Sequence, residues 1–137
     1  TKKKIAIITG GASGIGLAIA QKFVQNDIFT IVIGRNQSKL KVVQELLGDL
    51  ATTISFDLND LAHIPALITN IVERYGQIDI LVNNAGINLK KDFTEVSDED
   101  FQKILTTNVT AVFAISREVV KDMLKRQKGT IVNISSM

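Results

Sequence analysis

Five short apolar runs, separated by stretches with helical spacing, constrain this chain more than any other feature. Residues 5–8 (IAII), 28–33 (IFTIVI), 51–56 (ATTISF), 78–82 (IDILV) and 130–134 (TIVNI) are rich in Ile, Val and Thr, which suit a pleated sheet. Between them, apolar residues recur every three or four positions. Ile15, Ala18, Ile19, Phe23 and Val24 mark a first helix. Leu40, Val43, Leu46 and Leu47 mark a second, over 38–47, closed by Gly48 as a C-cap. Leu61, Ile64, Leu67, Ile68, Ile71 and Val72 mark a third over about 61–75, with Pro65 near its first turn, where a missing N–H costs little. The last helical stretch covers 98–126, with a stripe of Phe101, Ile104, Leu105, Val109, Val112, Ile115, Val119 and Met123. Unbroken it would run roughly 40 Å; Thr106-Thr107-Asn108 is the natural place for a break. Strand–helix alternation with near-continuous apolar strands predicts one α/β domain over 1–137: a three-layer, doubly wound parallel sheet covered on both faces. No adjacent hairpin signals support a two-layer ferredoxin-like arrangement.

Composition works by exclusion. Sixteen Lys and Arg against fourteen Asp and Glu leave a formal charge of +2, too balanced to suggest a nucleic-acid partner. Zero cysteines exclude disulfides, thiolate catalysis and sulfur-ligated zinc. A single histidine excludes multi-histidine metal sites. No apolar run approaches the roughly 20 residues of a membrane span. Lys2-Lys3-Lys4 leads into a run that ends at Thr9-Gly10-Gly11, too short for a signal peptide. The expectation is a soluble, cytoplasmic domain without a membrane partner.

Thr9-Gly10-Gly11-Ala12-Ser13-Gly14-Ile15-Gly16 lies between the first strand and the first helix. Gly10 suits a tight turn, Gly14 a close backbone approach to a pyrophosphate, and Gly16 close packing of helix on sheet. Free N–H groups at the helix start would receive the negative charge. A Walker A loop would end in Gly-Lys-Ser/Thr, absent here. Gly10, Ser13, Gly14, Ile15 and Gly16 are therefore candidates for contact with a dinucleotide; the alternative is a purely structural turn.

The TGxxxGIG spacing resembles the short-chain dehydrogenase/reductase family. Three further motifs follow in the family's order: Asn83-Asn84-Ala85-Gly86 after strand four, Asn108 within the long helix, and IVNISS at 131–136. The nearest likeness is to the classical branch, with its 3-oxoacyl-carrier-protein reductases and gluconate and glucose dehydrogenases. The resemblance implies a Rossmann-like fold and hydride transfer between NAD or NADP and a carbonyl or secondary-alcohol substrate. It also implies a homodimer or homotetramer formed through the 98–126 helix, with Val120 and Leu124 as outer apolar positions.

The resemblance assigns residues one by one. At the end of strand two, Gly34-Arg35-Asn36 stands where an NAD enzyme carries a carboxylate. A guanidinium suits a 2′-phosphate, so Arg35 and Asn36 favour NADP, with NAD as the second option. Ser13, where many NADP-preferring relatives place a basic residue, argues the other way, and Arg35 as a solvated surface residue stays open. Asp57 would accept from the adenine amino group, with Leu58 beside the base; a turn residue is the alternative for Asp57. Asn84, Ala85 and Gly86 would face the ribose or nicotinamide, whereas Asn83 reads as a buried hydrogen bonder between strands. Asn108 would keep a water near a catalytic lysine, or else be a packing amide; as a polar group on an apolar stripe it needs a partner. Ser136 would orient the substrate oxygen.

The family's proton donor is a tyrosine in a Y-x-x-x-K pair further along than the serine. The only tyrosine here is Tyr75, with Asp79 four positions on, so Tyr75 reads as packing. His63 reads as remote from catalysis. Asp92, Glu95, Asp98, Glu99 and Asp100 read as loop and helix-start acids rather than metal ligands. With Met137 directly after Ser136, the chain reads as the cofactor-binding portion of a longer enzyme, its sheet truncated or partly ordered after the fifth strand. The competing readings are a non-catalytic nucleotide-binding or scaffold protein and an inert half-domain.

Overall fold

The computed structural model describes residues 3–87 and 90–135. Its strands β1 (Ile5–Thr9), β2 (Phe29–Gly34), β3 (Ala51–Ser55), β4 (Ile80–Asn83) and β5 (Thr130–Asn133) form one sheet. Every pairing is parallel and the order is β3-β2-β1-β4-β5. β1 takes the centre because all five of its residues are buried; an apolar run without alternation fits only a strand covered on both faces. The chain steps outward from β1 to β2 and β3, then returns to place β4 on the other side of β1. That reversal opens a crevice at the C-terminal strand ends.

Neighbouring residues on a strand point to opposite faces, and each face has its own core. Ile7, Ile31 and Leu81 pack with Ile64, Leu67, Ile68 and Ile71 of helix α3 (Ile64–Tyr75) and with Ala111, Ile115 and Val119 of α5 (Ala111–Arg126). Ile8, Val32 and Val82 pack on the other face with Ala20 of α1 (Gly14–Gln25) and with Leu40, Val43 and Leu47 of α2 (Gln37–Leu47). Each such Ile, Leu or Val side chain contributes about 1.5–3 kcal/mol by leaving water.

Local chemistry sets the helix ends. The Asn36 side chain accepts from the Lys39 N–H at 3.0 Å to cap α2, and Gly48 closes that helix at φ 75°. Pro65 sits in the first turn of α3. A capping box starts α4 (Asp98–Leu105), in which the Asp100 N–H donates to Ser97 Oγ and the Ser97 N–H to the Asp100 carboxylate. No helix among the described residues is long and apolar enough to cross a membrane.

The helical stripes need three corrections. In α1, Gly16 and Ala20 are buried while Ile15 and Ala18 face solvent; the loop seats the helix on its smallest residues. In α2, Leu46 turns outward beside buried Leu47. The expected 98–126 helix is α4, a π-helical segment at Thr106–Thr110, and α5. The Ala111 N–H reaches back to the Thr106 carbonyl, an i→i+5 bond that rotates the register. A 3.6-residue stripe cannot continue through it, so Phe101 and Val109 are exposed at 55% and 59% while Ile115, Val119 and Met123 are buried.

At the opposite, N-terminal edge of the sheet, the buried Asp79 carboxylate accepts from the Ile5 N–H at 2.8 Å and from Arg126 Nη1 at 3.2 Å. Arg126 Nη2 also donates to Asp122 at 3.0 Å and to the Ile78 carbonyl at 2.5 Å. The end of α5 is thereby tied to the start of β4.

Candidate functional site

A cleft of about 270 Å³ occupies the crevice at the C-terminal ends of β1, β2, β3 and β4. Gly10 and Ser13 line it from the loop after β1, and Gly34 and Arg35 from the end of β2. Asp57, Leu58 and Asn59 come from the exit of β3, Asn84 to Ile87 from the exit of β4, and Thr107 from the π segment.

Three of the four glycines of the loop each avoid a different obstacle. Gly10 has φ 67°, and a Cβ there would lie 2.9 Å from the Ala85 Cα. At Gly11 it would meet Val32 Cγ1 at 2.8 Å, so Gly11 is the residue that lets the loop lie on the sheet. At Gly16 it would strike the Gly10 carbonyl and the Asn84 amide. The expected helix-on-sheet role of Gly16 is therefore corrected: it lets the helix approach the loop itself. Gly14 has φ 56° and open space around its Cβ position. The Ser13 side chain caps no N–H, and no acid occupies the first turn of α1. Uncapped first-turn donors beside an open glycine suit a phosphate group.

Thr9 is the residue that sequence reasoning missed. Its buried hydroxyl accepts from the N–H groups of Asn84 and Ala85, both at 3.0 Å, and donates to the Val82 carbonyl at 3.4 Å. Asn84 Nδ2 donates to the Gly10 carbonyl at 3.0 Å. The loops after β1 and β4 are thus built as one unit. The signal available in advance was a hydroxyl at the last position of a buried strand, where a polar group needs partners.

Other assigned residues fall at different distances from the cleft. Arg35 is exposed at its lip, and its guanidinium makes no ion pair among the described residues. Asn36 serves as the α2 cap and does not line the cleft; nor does Ile15, 62% exposed on α1. Asp57 Oδ1 accepts from the Asn59 N–H at 2.9 Å, while Leu58 is buried in the core with its edge on the cleft. A Cβ at Gly86 would lie 3.2 Å from Asn108 Oδ1, so its bareness makes room for Asn108. Asn108 is exposed, and its amide grips the backbone of Ile87, accepting from the N–H at 2.9 Å and donating to the carbonyl at 3.0 Å. The needed partner exists, on a loop instead of within the core.

Asn83 Nδ2 donates to Asn133 Oδ1 at 2.9 Å and to Ser116 Oγ at 3.1 Å, bridging β4 and β5. Tyr75 packs against Phe29 with ring centroids 5.2 Å apart, away from the cleft lining. His63 lies on the connection leaving β3, where Asp60 pairs with its ring. Ser136 lies outside the described residues.

Two carboxyls are held below the ordinary range, Asp100 by the Lys91 ammonium and the Ser97 N–H, and Glu118 by Lys121 and Arg117. Neither lines the cleft. No cluster of His, Asp and Glu among the described residues could hold a metal ion.

The short chain dehydrogenase family profile matches residues 4–137. A 3alpha-hydroxysteroid dehydrogenase of Mediterraneibacter gnavus is 40% identical over 99% of this chain and 56% of its own length. An actinorhodin polyketide ketoreductase variant with NADPH superposes at TM-score 0.91, 37% identical, over 98% of this chain and 53% of that one. A 3-ketoacyl-acyl-carrier-protein reductase from Brucella melitensis complexed with NADH superposes at 0.89, 30% identical, over 97% and 57%. The chain spans about half the length of these relatives. Profile, sheet order and glycine-loop geometry agree, and the chain belongs to the short-chain dehydrogenase family.

Proposed function

We propose that the cleft binds a nicotinamide adenine dinucleotide, NADP in preference to NAD. The whole protein is then an oxidoreductase acting on a carbonyl or secondary-alcohol substrate. The observation that carries this reading is the uncapped start of α1 at Ser13, which lines the cleft together with Arg35, whose guanidinium makes no ion pair among the described residues. The relatives crystallised with NADPH and NADH support it.

The pyrophosphate goes to the first turn of α1, over Ser13 and Gly14. Arg35 would hold a 2′-phosphate, with Asn36 acting through the α2 cap. Asp57 and Leu58, at the exit of β3, would hold the adenosine, and Asn84, Ala85 and Gly86, at the exit of β4, the nicotinamide riboside. When bound, the nicotinamide supplies or accepts the hydride. The chain's own contribution is orientation: two loops tied through Thr9 hold donor and acceptor at fixed separation. Asn108 steadies the Ile87 end of that wall. Ser136 is the residue to orient the substrate oxygen, and the proton falls to a Y-x-x-x-K pair beyond it. The expected outer residues of α5, half-buried Val120 and exposed Leu124, together with exposed Phe113, would form the contact of a homodimer or homotetramer.

Titration of NADPH and NADH fluorescence tests the cofactor reading. Arg35→Ala should weaken NADPH by about tenfold or more, one charge-assisted pair, and leave NADH nearly unchanged. An unaltered 2′-phosphate preference in the variant refutes the role of Arg35; failure of the parent protein to bind either cofactor refutes the function.

A further inference from the structure

The π segment holds two consecutive side chains that reach two different loops of the cleft wall. Asn108 clamps Ile87, on the β4 exit. Thr107, only 7% exposed, donates its hydroxyl to Asn59 Oδ1 at 2.6 Å, on the β3 exit. The Asn59 N–H in turn donates to the Asp57 carboxylate at 2.9 Å. A chain of hydrogen bonds therefore runs from the helix to the corner formed by Asp57 and Leu58. Thr107 and Asn59 both border the cleft, so this chain lies along its wall.

We propose that Thr107 is a positioning residue for the adenosine half of the dinucleotide, holding the Asp57–Leu58 corner through Asn59. The inference rests on the reading of the cleft as a dinucleotide site. The wide i→i+5 turn is the device that makes it work: by resetting the helix register, it delivers Thr107 to one loop and Asn108 to the other. The Asp57 carboxylate is exposed and free to swing unless its own turn is held. Asn59 holds that turn, and Thr107 holds Asn59.

Thr107→Val keeps the shape and removes the hydroxyl; Thr107→Ser restores it; Asn59→Ala breaks the same bond from the other side. The probes are NADPH and adenosine 2′,5′-bisphosphate, titrated against the full protein alongside its thermal midpoint. Thr107→Val and Asn59→Ala should each weaken both probes by about three- to tenfold, the scale of one hydrogen bond. Thr107→Ser should bind like the parent, and the double variant should lose no more than either single one. Parent-like affinity in Thr107→Val with only a lowered midpoint overturns the proposal, as do additive losses in the double variant. Should Thr107→Val not fold, Asn59→Ala decides on affinity alone, and parent-like binding overturns the proposal. If the parent protein binds neither NADPH nor NADH, the function reading itself has failed and this inference with it; if the parent binds and the variants bind equally, only the inference has failed.

Discussion

An added methyl group means different things at Gly14 and Gly16. At Gly16 it would enter the Gly10 carbonyl and the Asn84 amide, and overpacking of that kind costs about 2 kcal/mol. Gly16→Ala should accordingly lower the urea midpoint and loosen both loops. At Gly14 the space is open and only the φ of 56° resists, at about 1 kcal/mol. Gly14→Ala should therefore keep most of its stability, yet lose NADPH affinity, because the methyl stands where the pyrophosphate is placed. A ratio of affinity loss to stability loss that is the same for both variants would contradict this division. The glycine spacing was readable along the chain, and it located the loop. The partners were not, because the Asn84–Gly10 bond spans 74 residues and exists only once β4 lies beside β1. Thr9 was passed over for the same reason: both its N–H donors arrive from the distant strand.

Elements were readable where one rule governs them, and failed where two compete. β1 and α3 followed from burial and period alone. The 98–126 stripe did not, because counting by 3.6 assumes one helix type throughout. A π turn interrupts it at Thr106–Thr110, and there the side chains of Thr107 and Asn108 bond to loops instead. The start of α4 carries a pH signature. Asp100 is held below its ordinary value by Lys91 and the Ser97 N–H, so its contribution is present above the ordinary carboxylate range. It is lost as pH falls through and below that range, about 4. Amide protection factors in the first turn of α4, corrected for the intrinsic rate, should fall as pH drops through that range, and Asp100→Asn should flatten that dependence; pH-independent protection in the parent would refute it. At the base of the sheet, Arg126→Ala leaves the buried Asp79 carboxylate without its partly buried counter-charge, a loss of about 3 kcal/mol. Denaturant unfolding should show it without loss of NADPH affinity, since neither residue borders the cleft.

At the scale of the whole molecule, Phe113 and Leu124 leave 63% and 69% of their surface in water on one helix. Large apolar side chains left in water on one helix are the natural candidates for a contact surface. Phe113→Asp with Leu124→Glu should shift sedimentation toward the monomer while circular dichroism stays unchanged; the same sedimentation in both proteins would place any interface elsewhere. The sheet order also bears on time. β1, β2 and β3 are neighbours and end at Ser55, whereas β4 starts at Ile80 and must return to the far side of β1. A nascent chain leaving the ribosome can therefore assemble the Arg35 and Asp57 side first. It must wait for a second stretch of synthesis before Thr9 has anything to hold, and one flank of β1 stays unpaired in the interval.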